Sequence, residues 1–454
     1  MPVQFGFLLI ALSLLAVPQG WAVGQVGSTP DAQQPAPTEK GTSSAQSQPG
    51  PPVAAQYTLT PEKRARAVAY SRARYILYFA GVVVSVAIYW LLWRSKLAAL
   101  FRDWARKGSR RHFVQCLIFV PLFLAAVALL EFPLAYYSGF VVERRFDLST
   151  QGFASWLGDW GKSFALTALL GIVLVWIFYW IVRRSPRRWW LYVWMISIPV
   201  VLVLILMEPY AVEPLFFRFT PLERNQAALT ERVQEMLARA RLKIPRTHIL
   251  EMNASTKTRT LNAYVSGLGA SKRVVVWDTA LKKLEKDETL LLLGHEIGHY
   301  VLRHIPKGFV LWEMLFLVLS YLGFVAVDRI VERAGARTHV EGVGDLASFP
   351  VVLLVLTVLV FCASPLINGF SRYYERQADQ FGLELAYGVV ADPNAADVRG
   401  LQILGEEDLA DPEPNPVIKF WLYSHPPLNE RIRFAAGYKP WAEGKPLQLV
   451  RPKE

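Results

Sequence analysis

Residues 294–299 read GHEIGH and lie between the apolar runs LLLL and YVL. His295 and His299 are four residues apart, about 40° around a helix, so both imidazoles project from one face. A histidine pair at this spacing spans one edge of the tetrahedron that Zn²⁺ prefers. Glu296 points about 100° away, which excludes it as an equal ligand but leaves it able to reach a water molecule at the metal. The spacing predicts a zinc-binding helix with Glu296 as general base.

The same six residues have a simpler interpretation, in which two solvated histidines lie on a polar helix face. The flanking leucines argue against it, because they predict a buried helix in which imidazoles need partners. Gly294 and Gly298 each cost about 1 kcal/mol relative to alanine inside a helix, which predicts the close approach of another element. We therefore favour the metal site.

Apolar runs dominate the rest of the chain, in which 53% of the 454 residues are hydrophobic. Six runs approach the length of about 20 residues that a membrane-spanning helix needs. The predicted fold is predominantly α, a polytopic membrane helical bundle. The runs are Tyr75–Trp93, Phe113–Tyr137, Phe164–Val182, Trp189–Met207, Phe309–Val327 and Phe349–Ile367.

The formal net charge of +12 does not predict a nucleic-acid partner. The basic residues cluster at the ends of the apolar runs, where they determine topology and bind lipid headgroups. The two cysteines, Cys116 and Cys362, both lie inside apolar runs, which excludes a disulfide framework.

The runs divide the chain into six parts. The N-terminal part is a signal peptide or an uncleaved first membrane helix, because residues 5–19 are apolar but no Lys or Arg precedes them. A stretch rich in Pro, Gln and Ser follows and predicts a disordered tether. The predicted parts are 1–23 (signal peptide or first helix), 24–56 (tether), 57–208 (four membrane helices), 209–308 (polar block with the H-E-x-x-H helix), 309–368 (two membrane helices) and 369–454 (C-terminal polar part).

The side of the membrane follows from the charged loops. The loops after the first and third helices are rich in Arg and Lys, which makes them cytoplasmic by the positive-inside rule. The blocks 209–308 and 369–454 then lie together on the periplasmic side, as expected for an integral protein of a bacterial inner membrane. A basic cluster over residues 63–74 gives the opposite indication, so a cytoplasmic site stays open.

The polar block has a mixed pattern. THILEMN (247–253), RTLNAYVSG (259–267) and KRVVVWD (272–278) predict three short strands of a small β-sheet. Asp287 is the predicted N-cap of the histidine helix, which we expect to run to Arg303 and to end before Pro306.

A catalytic zinc site needs a third protein ligand and an open position. His304 is nine residues after His295, half a turn around the helix, and is therefore expected on the opposite face. NGFSRYYERQADQFGLELAYG (368–388) predicts a helix closed by Gly388, on which Glu375 and Asp379 share a face. Glu375 is the candidate ligand and Asp379 the carboxylate that orients a histidine, although a surface helix with spaced charges has the same pattern.

These motifs, in this order, resemble those of a known family. H-E-x-x-H, two membrane crossings, SRYYERQAD (371–379) and SHPPLNERI (424–432) look like the type I integral-membrane CAAX prenyl proteases, as a bacterial-type member. The likeness continues through residues 136–160 and 213–222 and covers about residues 57–440. The resemblance implies a gluzincin-type zinc protease domain with one Zn²⁺ per chain, bound by His295, His299 and Glu375, and with Glu296 as the catalytic base.

The resemblance also implies roles for other residues. Asp379, Arg372 and Arg431 would surround the ligands, and His425 would stabilise the oxyanion as a second catalytic residue. From the sequence alone, His425 before Pro-Pro is equally compatible with a loop residue. Asn262 and Tyr264 would lie on a strand that binds extended substrate.

The predicted function is zinc-dependent membrane endopeptidase activity on membrane-associated or CAAX-type protein substrates. The expected partners are such a peptide or protein and the lipid bilayer. A periplasmic site would not reach prenylated cytosolic tails, so a quality-control protease of broader specificity is an alternative. A transporter or non-catalytic scaffold with a structural zinc is another, although such a site has no need of Glu296.

Overall fold

The computed structural model describes residues 56–450, so the predicted segment 1–23 and almost all of the tether lie outside the described residues. Within that range six helices are long and apolar enough to cross a membrane, which confirms the six predicted runs. A shorter helix, α2, joins the first two of them. The helices of the membrane part are α1 (Pro61–Arg94), α2 (Leu97–Gly108), α3 (His112–Tyr136), α4 (Phe153–Arg184) and α5 (Trp189–Met207).

The part between the fourth and fifth membrane helices forms a mixed α/β body. Helix α6 (Glu223–Arg239) precedes a four-stranded sheet, and α7 (Asp278–Lys283) and α8 (Lys286–Val301) follow it. Buried side chains from α6, α8 and the sheet share one hydrophobic core.

The sheet has the order β1-β2-β4-β3. Strands β2 and β4 are parallel, and the two outer pairs are antiparallel. Three strands were predicted, whereas the three-residue β1, which ends in proline, is too short to show an alternating pattern. Since β3 is at an edge, one side of its backbone has no partner strand among the described residues. The strands are β1 (Phe219–Pro221), β2 (Ile249–Met252), β3 (Ala263–Ser266) and β4 (Arg273–Trp277).

Helix α8 carries the GHEIGH stretch, but its predicted ends were wrong. Its N-cap is Glu285 rather than Asp287, since Glu288 reaches back to accept a hydrogen bond from the Glu285 backbone at 2.9 Å. The helix ends at Val301, and Arg303 has left-handed backbone angles with φ of 57°. A new helix, α9 (His304–Thr338), begins directly after it. Proline is tolerated in the first turn of α9, where its missing N–H would have had no partner.

The sixth membrane helix and the predicted helix 368–388 form one continuous helix, α10 (Phe349–Ala386). Its 38 residues span about 57 Å, nearly twice the hydrocarbon thickness of a bilayer. Gly388, with φ of 82°, stands just beyond its end. The remaining helices are α11 (Pro393–Glu407), α12 (Pro416–Leu422) and α13 (Leu428–Gly437).

Helices α8 and α10 approach each other through glycines. A Cβ atom on Gly382 would lie 2.9 Å from the backbone nitrogen of His295, and one on Gly294 would lie 3.2 Å from the Cα of Gly382. Gly298 faces Ala378 in the same way, with 3.3 Å to its Cα. The close approach predicted from Gly294 and Gly298 is therefore a contact between two helices.

We expect Gly382→Ala to lower the free energy of unfolding by about 1–3 kcal/mol, because the added methyl group overpacks this contact. Chemical denaturation of the purified protein in detergent measures the change. Gly158→Ala is the matched control, since Gly158 lies within α4 with open space around its Cβ position. Equal stabilities of the two variants would contradict a tight contact at Gly382.

Candidate active site

The structure brings His295, His299 and Glu375 together in a buried cluster. The Nε2 atoms of the two histidines are 3.0 Å apart. His295 Nε2 is 3.1 Å from Glu375 Oε2, and His299 Nε2 is 3.5 Å from Glu375 Oε1. Adjacent turns of α8 supply the two histidines. Helix α10, which continues beyond the sixth apolar run, supplies the glutamate.

These residues fit a zinc ion. Ligand atoms at about 2.0–2.1 Å from a tetrahedral Zn²⁺ lie about 3.3 Å from one another, close to the three observed separations. Glu375 is buried, with its Oε2 atom 3.1 Å from His295 Nε2 and 3.3 Å from His425 Nε2, and a buried carboxylate is costly unless a cation compensates its charge. No other group of three such side chains is found within residues 56–450.

The cluster also has the electrostatics of a cation site. Burial lowers the pKa of His295, but the neighbouring carboxylates of Asp379 and Glu375 outweigh it and raise that pKa to about 10. The metal-free histidine is therefore protonated at pH 7. A metal that binds there must displace this proton, so metal uptake is coupled to proton release.

Asp379 lies one turn after Glu375 on α10 and orients His295. The His295 Nδ1 proton is donated to Asp379 Oδ1 at 2.8 Å, which leaves Nε2 free to face the cluster. Arg431 from α13 donates to both oxygens of Asp379, at 2.6 and 3.0 Å. This paired guanidinium compensates the buried carboxylate.

Arg372 does not contact the cluster. Its guanidinium donates to the backbone carbonyls of Lys419, at 3.2 Å, and of Tyr423. The residue therefore holds the segment that leads to His425 rather than a ligand.

His425 reaches the cluster from the loop after α12. Its Nε2 atom lies 3.3 Å from Glu375 Oε2, and its Nδ1 atom lies 2.9 Å from the hydroxyl of Ser424. Burial lowers the pKa of His425 to about 4, against the attraction of Glu375, so the ring is neutral at pH 7.

Asn262 and Tyr264 do not point into the cluster. The Asn262 side chain accepts a hydrogen bond from the next backbone amide, that of Ala263, at 2.8 Å. Tyr264 is buried and donates its hydroxyl proton to Glu213 Oε2 at 2.9 Å. Neither side chain therefore contacts the candidate metal ligands through these hydrogen bonds.

Comparisons with known proteins show the family to which this chain belongs. The sequence profile of peptidase family M48 matches residues 223–439. A profile described as the CAAX prenyl protease N-terminal region, with five membrane helices, matches residues 43–218. The uncharacterized metalloprotease YhfN of Bacillus subtilis (strain 168) is 35% identical over 381 residues, 83% of this chain and 86% of its own length. The chain belongs to peptidase family M48.

More distant relatives carry the CAAX prenyl protease name. The CAAX prenyl protease 1 homolog of Arabidopsis thaliana is 30% identical, over 68% of this chain and 70% of its own length. That of Homo sapiens is 26% identical, over 79% of each chain. The crystal structure of S. mikatae Ste24p superposes with a TM-score of 0.72 at 24% identity, over 86% of this chain and 92% of that one, which shows the same fold. This M48 peptidase is an integral membrane metalloprotease.

The position expected for His304 from the sequence is wrong. The residue is fully buried, with its Nδ1 atom 3.1 Å from Nδ1 of His299, and not on the opposite face. The error arises because α8 stops before it. The turn at Leu302 and Arg303 contains neither the glycine nor the asparagine that usually marks a helix end.

In this M48 peptidase we expect Asp379→Asn to weaken zinc binding about 10–100-fold, because an amide cannot compensate His295 as the carboxylate does. Competition with a chromophoric chelator measures the affinity. Asp287→Asn is the control, since it breaks a partly exposed ion pair with Arg232 away from the cluster. Equal affinities of the two variants for zinc would show that Asp379 does not support the site.

Proposed function

We propose that this M48 peptidase hydrolyses peptide bonds with one Zn²⁺ bound by His295, His299 and Glu375. The observation that supports this most directly is the buried Glu375 carboxylate, whose two oxygens lie 3.1 Å from His295 Nε2 and 3.5 Å from His299 Nε2. Zinc held by these three residues would supply Lewis-acid chemistry, polarising the scissile carbonyl and lowering the pKa of the attacking water.

Glu296 then acts as the base. It lies on α8 directly after His295 and is mostly buried, in a water-poor setting. Its carboxylate takes a proton from the water molecule as the water oxygen attacks the carbonyl carbon. The same proton is delivered to the amide nitrogen as the C–N bond breaks, so the carboxylate is regenerated.

His425 supports the charge that develops on the carbonyl oxygen. In this proposal the Ser424 hydroxyl, 2.9 Å from Nδ1, donates its proton there, and the neutral ring carries its own proton on Nε2, the atom that faces the cluster. A neutral N–H aimed at the developing oxyanion is the kind of donor that stabilises a tetrahedral transition state.

The substrate binds as an extended strand along β3. The edge position of this strand supports the proposal, because backbone groups of a peptide can pair there without selection of its side chains. Glu375 is eight residues beyond the apolar run that ends at Ile367, about 12 Å along α10. Substrates cleaved at this height are membrane-associated, and CAAX-type proteins are the class that the names of the relatives suggest.

The active site faces the periplasm of a bacterial inner membrane. The loops on the far side of the bundle carry the excess of Arg and Lys that marks cytoplasmic loops. The basic cluster at the start of α1, which gave the opposite indication, has acidic partners in the protease domain and the adjoining loop. Examples are Lys63 with Glu406, Arg64 with Glu413 and Arg66 with Asp147.

Glu296→Gln tests the catalytic role. The variant should bind zinc and unfold as the wild type does, whereas kcat should fall by at least about 10²–10⁴-fold because the base is lost. Cleavage of a fluorogenic peptide by the purified protein measures the rate. Glu223→Gln, at an exposed ion pair on α6, is the control with unchanged activity.

The same assay separates the substrate classes. A farnesylated CAAX peptide, its unprenylated counterpart and an unfolded membrane protein are offered at equal concentration. Preferential cleavage of the farnesylated peptide supports the CAAX class, and equal rates favour a quality-control protease. Wild-type cleavage by Glu296→Gln would overturn the proposed chemistry.

The side of the membrane is tested by reporter fusions after the C-terminus. Alkaline phosphatase is active only in the periplasm, and we expect its fusion to be active. Green fluorescent protein is not fluorescent after export through the general secretory pathway, and we expect its fusion to be dark. The reverse pattern would place the site in the cytoplasm, within reach of prenylated tails.

A further inference from the structure

We propose that His304 is a positioning residue for the metal site. It accepts a hydrogen bond from the Nδ1 proton of His299 and thereby keeps the Nε2 lone pair of His299 directed at the metal. This inference rests on the proposed zinc role of His299.

The contact belongs to a chain of four side chains that leads away from the cluster. His299 Nδ1 lies 3.1 Å from His304 Nδ1, and His304 Nε2 lies 3.1 Å from Gln377 Oε1. The amide nitrogen of Gln377 in turn donates to the Tyr373 hydroxyl at 3.2 Å. Each link is within hydrogen-bond distance, and the chain runs from α8 through the first residue of α9 to α10.

The protons in this chain can be assigned in one consistent direction. A zinc ligand at Nε2 of His299 needs its lone pair there, so the proton of this neutral ring is on Nδ1. His304 must then accept at Nδ1 and carry its own proton on Nε2. That proton is donated to Gln377 Oε1, which can only accept, and the Tyr373 hydroxyl receives the amide N–H.

The backbone is arranged to place this ring. A helix that continued beyond Val301 would carry residue 304 away from His299, whereas the left-handed turn at Arg303 returns it to the ring. Left-handed angles at a residue other than glycine or asparagine are uncommon and cluster at functional sites. The ring of His304 is fully buried and stacks on Tyr374 at a centroid distance of 4.6 Å, which fixes its orientation.

The two histidine ligands thus have different supports. His295 is oriented by a carboxylate that an arginine compensates, whereas His299 is oriented by a neutral imidazole. A second carboxylate beside Glu375 and Asp379 would add another buried negative charge without a cation of its own. A neutral acceptor orients the ring at no such cost.

The experiment measures the zinc affinity of purified full-length variants by competition with a chelator, together with the thermal unfolding of the metal-free proteins. His304→Phe keeps a stacking ring but removes the acceptor, and we expect its zinc dissociation constant to rise about 10–100-fold. His304→Asn offers an oxygen at the position of Nδ1 and should retain most of the wild-type affinity. Arg376→Gln, which alters the exposed residue before Gln377, is the matched control and should bind zinc as the wild type does.

Gln377→Leu gives a second test if His304→Phe does not fold. It leaves His304 in place but removes the acceptor for its Nε2 proton, and it should weaken zinc binding by less than His304→Phe does. Gln377→Glu restores an acceptor and should restore the affinity.

The outcomes separate this proposal from the proposed function. Zinc affinity of His304→Phe equal to that of the wild type overturns the positioning role while the zinc site stands. Equal loss in His304→Phe and His304→Asn overturns the hydrogen-bond role in favour of packing. A wild-type protein that binds no zinc overturns both proposals.

Discussion

The geometry of the site depends on how closely two helices can approach. Gly294 and Gly298 on α8 meet Gly382 and Ala378 on α10, so the two backbones nearly touch. Glu375, Asp379 and Gly382 follow one another at intervals of four and three residues and share one face of α10. The face that allows the contact is therefore the face that presents both carboxylates to the histidines. Side chains at the glycine positions would separate the helices and widen every distance in the cluster.

Close approach alone would leave the imidazoles free to rotate, and the structure restricts them through their Nδ1 atoms. His295 is held by Asp379, whose charge is compensated by the two N–H groups of Arg431. His299 has His304 beside its Nδ1 atom. Both rings thus turn Nε2 to the same point, where two nitrogens 3.0 Å apart lie beside Glu375. A cation between these atoms would compensate the charge of the buried carboxylate.

The parts of the structure that the sequence predicts well are those determined by local periodicity. The spacing of His295 and His299, the six apolar runs and the shared face of Glu375 and Asp379 all follow from the geometry of a single helix. The sequence could not predict that α10 continues unbroken from the membrane to Ala386, since an apolar run and a polar helix read as separate elements. The position of His304 depends on a turn at Arg303 that packing imposes and that no helix-ending residue marks. Arg372 has the right spacing for the site, but tertiary contacts direct its guanidinium to the carbonyls of another segment.

That segment connects the chemistry to the membrane domain. The loop that carries His425 is held from α10, where Asn368 donates to the Trp421 carbonyl at 2.6 Å and Arg372 to that of Tyr423. It is also held from α1, whose Tyr75 hydroxyl lies 2.6 Å from the hydroxyl of Tyr423. Tyr75 of α1 therefore helps to position the loop that carries His425, the proposed oxyanion donor. Helices α9 and α10 each run from the membrane part to the site as one continuous helix. The position of the candidate site is thereby tied to that of the membrane helices.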